Sequence, residues 1–259
     1  MDITKYLNTI FEEKTANVSP NSCTDLANSL DLLSSGIYTE EERFIFELLQ
    51  NAVDSYEMGN TIDGLKIRIA IDGEYVVFMH NGKSFSCRDI EGICSVGNGD
   101  KSTDVQKIGY KGIGFKSVFM HSNCVTINSN GVYFKFDKQY WDDFFSTNPK
   151  SATGRKYKMP WQIIPIVTEE VPVDVDVEGY NVITYIKSAN TIKIASKIKA
   201  LMSDCQFLLF LRHSNIIVEY INGNEACSIS KASETVRTVS TTKIEQKVAL
   251  YVNDALQSS

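Results

Sequence analysis

The chain has 259 residues, 43% of them hydrophobic, which is enough for one large domain with a sizeable core or two small ones. A net charge of −6 argues against a surface dominated by nucleic-acid binding, and no apolar run is long enough to suggest a membrane span. Six cysteines without a C-x-x-C pair and three scattered histidines give neither a disulfide framework nor metal-ligand spacing, which points to a reducing, cytoplasmic setting.

Residues 1–36 carry helical periodicity through Ile3, Tyr6, Leu7, Ile10 and Phe11. The pattern breaks at Ser19-Pro20-Asn21, resumes with Leu26, Leu30 and Leu33, and stops at Gly36. A stronger helix is predicted over Thr39–Met58, with Thr39 and Glu42 as a capping box and Gly59 as its stop. Phe44, Ile45, Leu48, Leu49, Ala52 and Val53 form its apolar stripe. Glu47, Asn51 and Asp54 share another face. Such a face is either solvated or the edge of a site.

The period then changes. Leu65–Ile71 alternates as a strand, Asp72-Gly73 turns, and Tyr75–Met79 returns as a hairpin partner ending at His80-Asn81-Gly82. A short helix is predicted at Arg88–Ile93 behind Ser86. Residues 95–108 are polar and aperiodic, a long loop of the kind that serves as a lid. Gly109, Gly112 and Gly114 follow in a G-x-x-G-x-G segment that runs into an apolar helix start. Its glycines allow close backbone approach to a phosphate, or simply a tight turn. It is not a P-loop, because Phe115 stands at the lysine position, and Ser117 replaces the third glycine of a dinucleotide fingerprint.

Strands are predicted at Val125–Ile127 and Val132–Phe136 around Asn130-Gly131, at Ile163–Val167 and at Val182–Ile186. Residues 137–160 read as irregular and aromatic. Asn190 caps a helix to about Met202, and Leu208–Leu211, Ile216–Ile221 and Lys247–Val252 read as strands. Helices interleaved with mostly antiparallel strands favour an α+β two-layer sandwich with a mixed sheet and helices on one face. Residues 1–221 form the main domain, and 222–259 a β-rich extension that begins a following region.

Taken together, these motifs resemble the GHKL ATPase superfamily (gyrase, heat-shock chaperone, histidine kinase, MutL), most closely its sacsin-like and NO VEIN-like branch. The family's E-x-x-x-N-x-x-D box is matched by Glu47, Asn51 and Asp54, and its lid glycines by IGYKGIGFKSVF, residues 108–119. The resemblance implies a Bergerat-type fold and Mg²⁺-dependent hydrolysis of ATP, with slow turnover driving lid closure in a larger multi-domain chaperone-like, DNA-handling or defence protein. Glu47 would be the general base and Asn51 the Mg²⁺ ligand. Gly109, Gly112, Ile113, Gly114 and Phe115 would line the phosphates, with Lys101, Lys111 or Lys116 reaching a phosphate oxygen. Glutamate at position 47 separates the chain from the histidine kinases of the superfamily, which usually lack it.

At the adenine end, His80-Asn81-Gly82 stands where the family has D-x-G, and Ser84 replaces the next glycine. A neutral imidazole nitrogen of His80, or the Asn81 side-chain oxygen, is expected to accept the bond that the family aspartate takes from the adenine amino group. The family threonine after a late-strand glycine is also missing, since Tyr180 follows Gly179. The resemblance further implies ATP/ADP as ligands, a nucleotide-dependent homodimer and a protein client. The alternative function is a non-hydrolysing nucleotide-binding or protein-interaction scaffold on the same fold.

Overall fold

A computed structural model describes residues 2–16, 18–36, 43–57, 64–96, 114–147, 157–204, 207–211, 215–237, 242–252 and 255–258. The fold is mixed α/β. One open sheet runs in the order β10-β9-β8-β7-β1-β2-β6-β3-β4-β5. Its strands are β1 (Leu65–Asp72), β2 (Tyr75–His80), β3 (Cys124–Ser129), β4 (Val132–Asp137), β5 (Ile166–Val167), β6 (Val182–Lys187), β7 (Ile216–Asn222), β8 (Glu225–Arg237), β9 (Thr242–Val252) and β10 (Ala255–Ser258). Every pairing is antiparallel except β1 with β7, where Leu65 lies opposite Ile216 in parallel register.

The turns follow the residues that allow them. Asn130 and Gly131 both take positive φ (51° and 83°), as a tight two-residue hairpin between β3 and β4 requires. Gly73, at φ 55°, turns β1 into β2.

The helices are α1 (Ile3–Thr15), α2 (Pro20–Gly36), α3 (Arg43–Glu57), α4 (Cys87–Ile93), α5 (Lys138–Thr147), α6 (Thr191–Asp204) and α7 (Phe207–Phe210). Their buried residues join one cluster with a single face of the sheet, including Leu65, Ile67, Val76, Phe78, Val125, Ile127, Phe134 and Phe136. The expected stripe of α3 is in that core, with Leu49 and Ala52 fully buried. Ser86 and Asp89 close a capping box on α4. The predicted cap and stop of α3 at Thr39, Glu42 and Gly59 lie outside the described residues.

Three expectations are corrected. Residues 138–147 are not irregular but form α5, started by Asp137 Oδ1 accepting from Tyr140 N (3.3 Å) and braced by Lys138–Asp142 (2.8 Å) and Gln139–Asp143 (2.9 Å). Its Trp141 stacks on Phe11 of α1 at 5.6 Å, so tertiary packing overrides the weak helix propensity of an aromatic segment. Leu208–Leu211, read as a strand, falls mostly within one helical turn, Phe207–Phe210, since a short apolar run carries no period of its own. The stretch predicted as a strand over 163–167 divides into a 3₁₀ turn, Trp161–Ile163, and the two-residue β5.

The other face of the sheet is covered by residues 168–180, to which the sequence pattern assigned no element. Val173, Val175, Val177 and Tyr180 pack on Ala70, Val77, Met79, Ile183 and Tyr185. Arg68 anchors this strap. Its Nε is 2.8 Å from Glu219 and its Nη1 3.3 Å from Asp176, with the guanidinium 5.1 Å from the Tyr180 ring centroid. The Asp176 pair is exposed and adds little, so Arg68 holds the strap chiefly through the Tyr180 ring while the part-buried Glu219 bond fixes the guanidinium in place. Arg68→Ala should therefore loosen the strap by about 1 kcal/mol, a roughly fivefold rise in its opened population. A glutamate-specific protease should then cut at Glu169, Glu170 or Glu178 correspondingly faster; an unchanged cleavage rate would show that the valines alone hold the segment.

Candidate functional site

Helix α3 lies across the inner face with a polar edge that is only partly exposed. Glu47 and Asn51 are half-buried and Asp54 is buried, so this edge is not a solvated surface. Two loops close on it. At one end, a Cβ added to Gly114 would run into Oε2 of Glu47. At the other, a Cβ at Gly82 would run into Ser55 Oγ, with His80 Nδ1 only 2.9 Å away. Gly114 lies against the end of the Glu47 side chain and Gly82 against the shorter Ser55 side chain, so a Cβ at either place would push that side chain aside.

Burial raises the pKa of Glu47, while Arg43, one turn earlier with its Nε 3.8 Å from Oε1, pulls the other way. The carboxylate is thus partly desolvated and steered by one cation. The sequence pattern did not single out Arg43, although its i, i+4 spacing to Glu47 was legible.

His80, the last residue of β2, is 5% exposed. Its Nδ1 accepts from the Gly82 N–H at 3.2 Å and lies 3.5 Å from Ser55 Oγ, whose hydroxyl donates to the Ala52 carbonyl. Burial lowers the His80 pKa to about 4, so the ring is neutral at pH 7. Ser55 was another residue missed in the sequence; only its place one turn past Asn51 marks it.

Asn81 is committed to the backbone around the start of β1. Its Oδ1 accepts from Lys66 N (2.8 Å) and its Nδ2 donates to the Gly64 carbonyl (3.1 Å). Tyr180, after Gly179, belongs to the strap on the opposite face, bonded to Glu219.

Gly114–Met120 forms a 3₁₀ helix in place of the expected α-helical start. Phe115 packs edge-on to Phe119 at 5.9 Å in the aromatic core. Lys116 is buried, with Nζ donating to the Ile93 carbonyl at the end of α4 and, at 3.4 Å, to the Gln162 carbonyl. Its ammonium is thus spent on pinning the base of the glycine segment to α4 and the Trp161–Ile163 turn. Lys101, Gly109, Lys111, Gly112 and Ile113 lie outside the described residues.

Among the described residues no group of three or more His, Cys, Asp or Glu could enclose a metal ion. The oxygen donor of Asn51, between Glu47 and Asp54, suits a hard cation that keeps its water and phosphate ligands and takes only one or two from protein.

Burial lowers the Lys116 pKa from 10.5 to about 7. Between those values the unfolded chain binds the extra proton, so the folded state gains stability as pH rises through this window. Unfolding free energy, measured by urea titration for wild type and Lys116→Met, should shift in favour of wild type between pH 7 and pH 9.5; parallel curves would mean that the lysine keeps its ordinary pKa.

Residues 69–175 match the Sacsin domain. That span contains His80–Gly82 and the glycine segment but not Glu47 or Asn51. Protein NO VEIN from Arabidopsis thaliana is 38% identical over 112 residues, covering 43% of this chain and 4% of that protein. The chain therefore spans only a small part of its relative. Among the described residues no helix is long and apolar enough to cross a membrane. Over its central part, the chain is related to sacsin-domain and NO VEIN-like proteins.

Proposed function

We propose that the chain is a Mg²⁺-dependent nucleoside triphosphatase on a Bergerat-type fold of the GHKL kind, with ATP as the substrate implied by the family resemblance. The observation that carries this reading is the α3 edge: a partly desolvated carboxylate, Glu47, packed against the glycine that ends the G-x-x-G-x-G segment. The relationship to sacsin-domain and NO VEIN-like proteins supports the same reading.

Along α3, Glu47 and Ser55 are eight residues apart, about 12 Å of helix rise. That separation suits a nucleoside triphosphate laid along the helix, with its γ-phosphate near Glu47 and its base near His80. Glu47 would orient and deprotonate the attacking water, a role that a carboxylate with a raised pKa fills well. Asn51 would hold Mg²⁺, which supplies charge neutralisation at the phosphates when bound. Backbone N–H groups of the glycine segment would face the phosphates. Turnover would drive a conformational change in a larger protein, with nucleotide-dependent pairing of two copies and a protein client as further expectations.

Phosphate release by wild type with Mg-ATP should exceed that of Glu47→Ala by roughly a hundredfold or more, with nucleotide still bound by the variant. Equal rates would leave a non-hydrolysing nucleotide-binding module. Asn51→Ala should weaken nucleotide binding in the presence of Mg²⁺ but not in EDTA, as read by calorimetry. If the loss is the same in both, the amide does not serve the metal.

A further inference from the structure

Strand β9 is longer than what covers it. It runs over Thr242–Val252 and pairs with β8 along its whole length. On its other side, among the described residues, β10 pairs only with Leu250, Tyr251 and Val252. The outward-directed N–H and C=O groups of 242–249 therefore have no neighbouring strand among the described residues. β7 reaches along β8 only to Lys231, opposite Ile216. Residues 232–237 of β8 and 242–247 of β9 thus form a two-stranded ribbon that projects past the rest of the sheet. Such a ribbon is marginal in water and gains from a third strand.

The open edge reads Lys243-Ile244-Glu245-Gln246-Lys247-Val248-Ala249, and this sequence complements itself. A second copy laid antiparallel about Gln246 brings residue 246 opposite itself. Glu245 then stands opposite Lys247 of the second copy, and Ile244 opposite its Val248, each pairing occurring twice. Opposite residues of an antiparallel pair share a face. The register with β8 sets 244, 246 and 248 on the helix-bearing face, in line with Lys231 and buried Ile216, and 243, 245 and 247 on the other. Apolar positions meet on one face and opposite charges on the other.

The neighbouring two-fold registers conflict with the sequence. Centring on Glu245 sets glutamate against glutamate and Lys243 against Lys247. A centre between 245 and 246 sets Ile244 against Lys247. Centring on Lys247 sets lysine against lysine and carries the second copy into the place beside Leu250 that β10 holds. The register about Gln246 fills 243–249 and stops short of β10. We propose that β9 is a homodimer edge, on which two copies pair β9 to β9 about a two-fold axis at Gln246 and join their sheets into one. Backbone hydrogen bonds and fixed charges make the contact, so it needs no nucleotide and stands apart from the reading of the α3 edge.

Sedimentation equilibrium of the whole, nucleotide-free chain, at concentrations up to roughly 100 µM, tests this. Wild type should approach twice the 29.0 kDa monomer mass. Glu245→Lys and Lys247→Glu each create two like-charge contacts across the axis. Each should raise the dimer dissociation constant at least roughly tenfold, with folding checked by circular dichroism. The double exchange Glu245→Lys/Lys247→Glu restores both pairs and should recover the dimer, which a merely misfolded variant does not do. A wild-type mass that stays at 29.0 kDa overturns the proposal. A dimer that neither single variant weakens, or that a folded double variant fails to recover, overturns it as well, because the copies then meet elsewhere.

Discussion

Helix α3 sets the side chains of Ser55 and Glu47 directly against Gly82 and Gly114, where a larger residue would have to displace them. The rest of the site depends on this constraint. It fixes the distance from Glu47 to the exit of the glycine segment, and from Ser55 to the end of β2. Burial along this edge raises the pKa of Glu47 and lowers that of His80. The same desolvation thus acts in opposite directions on an acid and a base, keeping both nearer neutral. On the acidic side this carries a cost. Between pH 6.5 and about 4 the unfolded chain takes up a proton that the buried His80 ring refuses, so the folded state loses stability as pH falls through that window.

The two ends of the edge are built differently. The Glu47 end rests on one carboxylate, one guanidinium and the glycine beneath Oε2. The His80 end rests on directed hydrogen bonds, with Asn81 and His80 each locked to a backbone group. Lys116, beneath the glycine segment, is structural in this arrangement. Its Nζ donates to the Ile93 carbonyl at the end of α4 and to the Gln162 carbonyl in the Trp161–Ile163 turn, and this ties the segment to the core instead of leaving the amine for a ligand.

Much of the fold was legible where local chemistry decides. Asn130-Gly131 forced a hairpin, Ser86 and Asp89 capped α4, and the stripe from Phe44 to Val53 had only one way to be buried. It was not legible where tertiary packing decides. The α5 segment is rich in aromatics that give no helical signal until Trp141 meets Phe11. The valines of the strap alternate as a strand would, yet they pack on a sheet face instead of pairing at an edge. Within the site, residue types and spacing marked Glu47, Asn51 and His80. Spacing alone cannot say which atom of a side chain is already in use, and so the commitments of Asn81, Lys116 and His80 Nδ1 emerged only from the structure.

The parallel pairing of β1 with β7 joins residue 65 to residue 216, across most of the chain. The strand that leads into β2 and His80 therefore waits for its second neighbour until most of the chain has been made. Until residues 216–222 emerge from the ribosome, β1 presents an open edge of unpaired backbone N–H and C=O groups, the kind of edge that recruits other chains. A nascent chain of this protein is thus exposed to misassociation for as long as it takes to translate about 150 residues after β1, long after the residues of the site have been made.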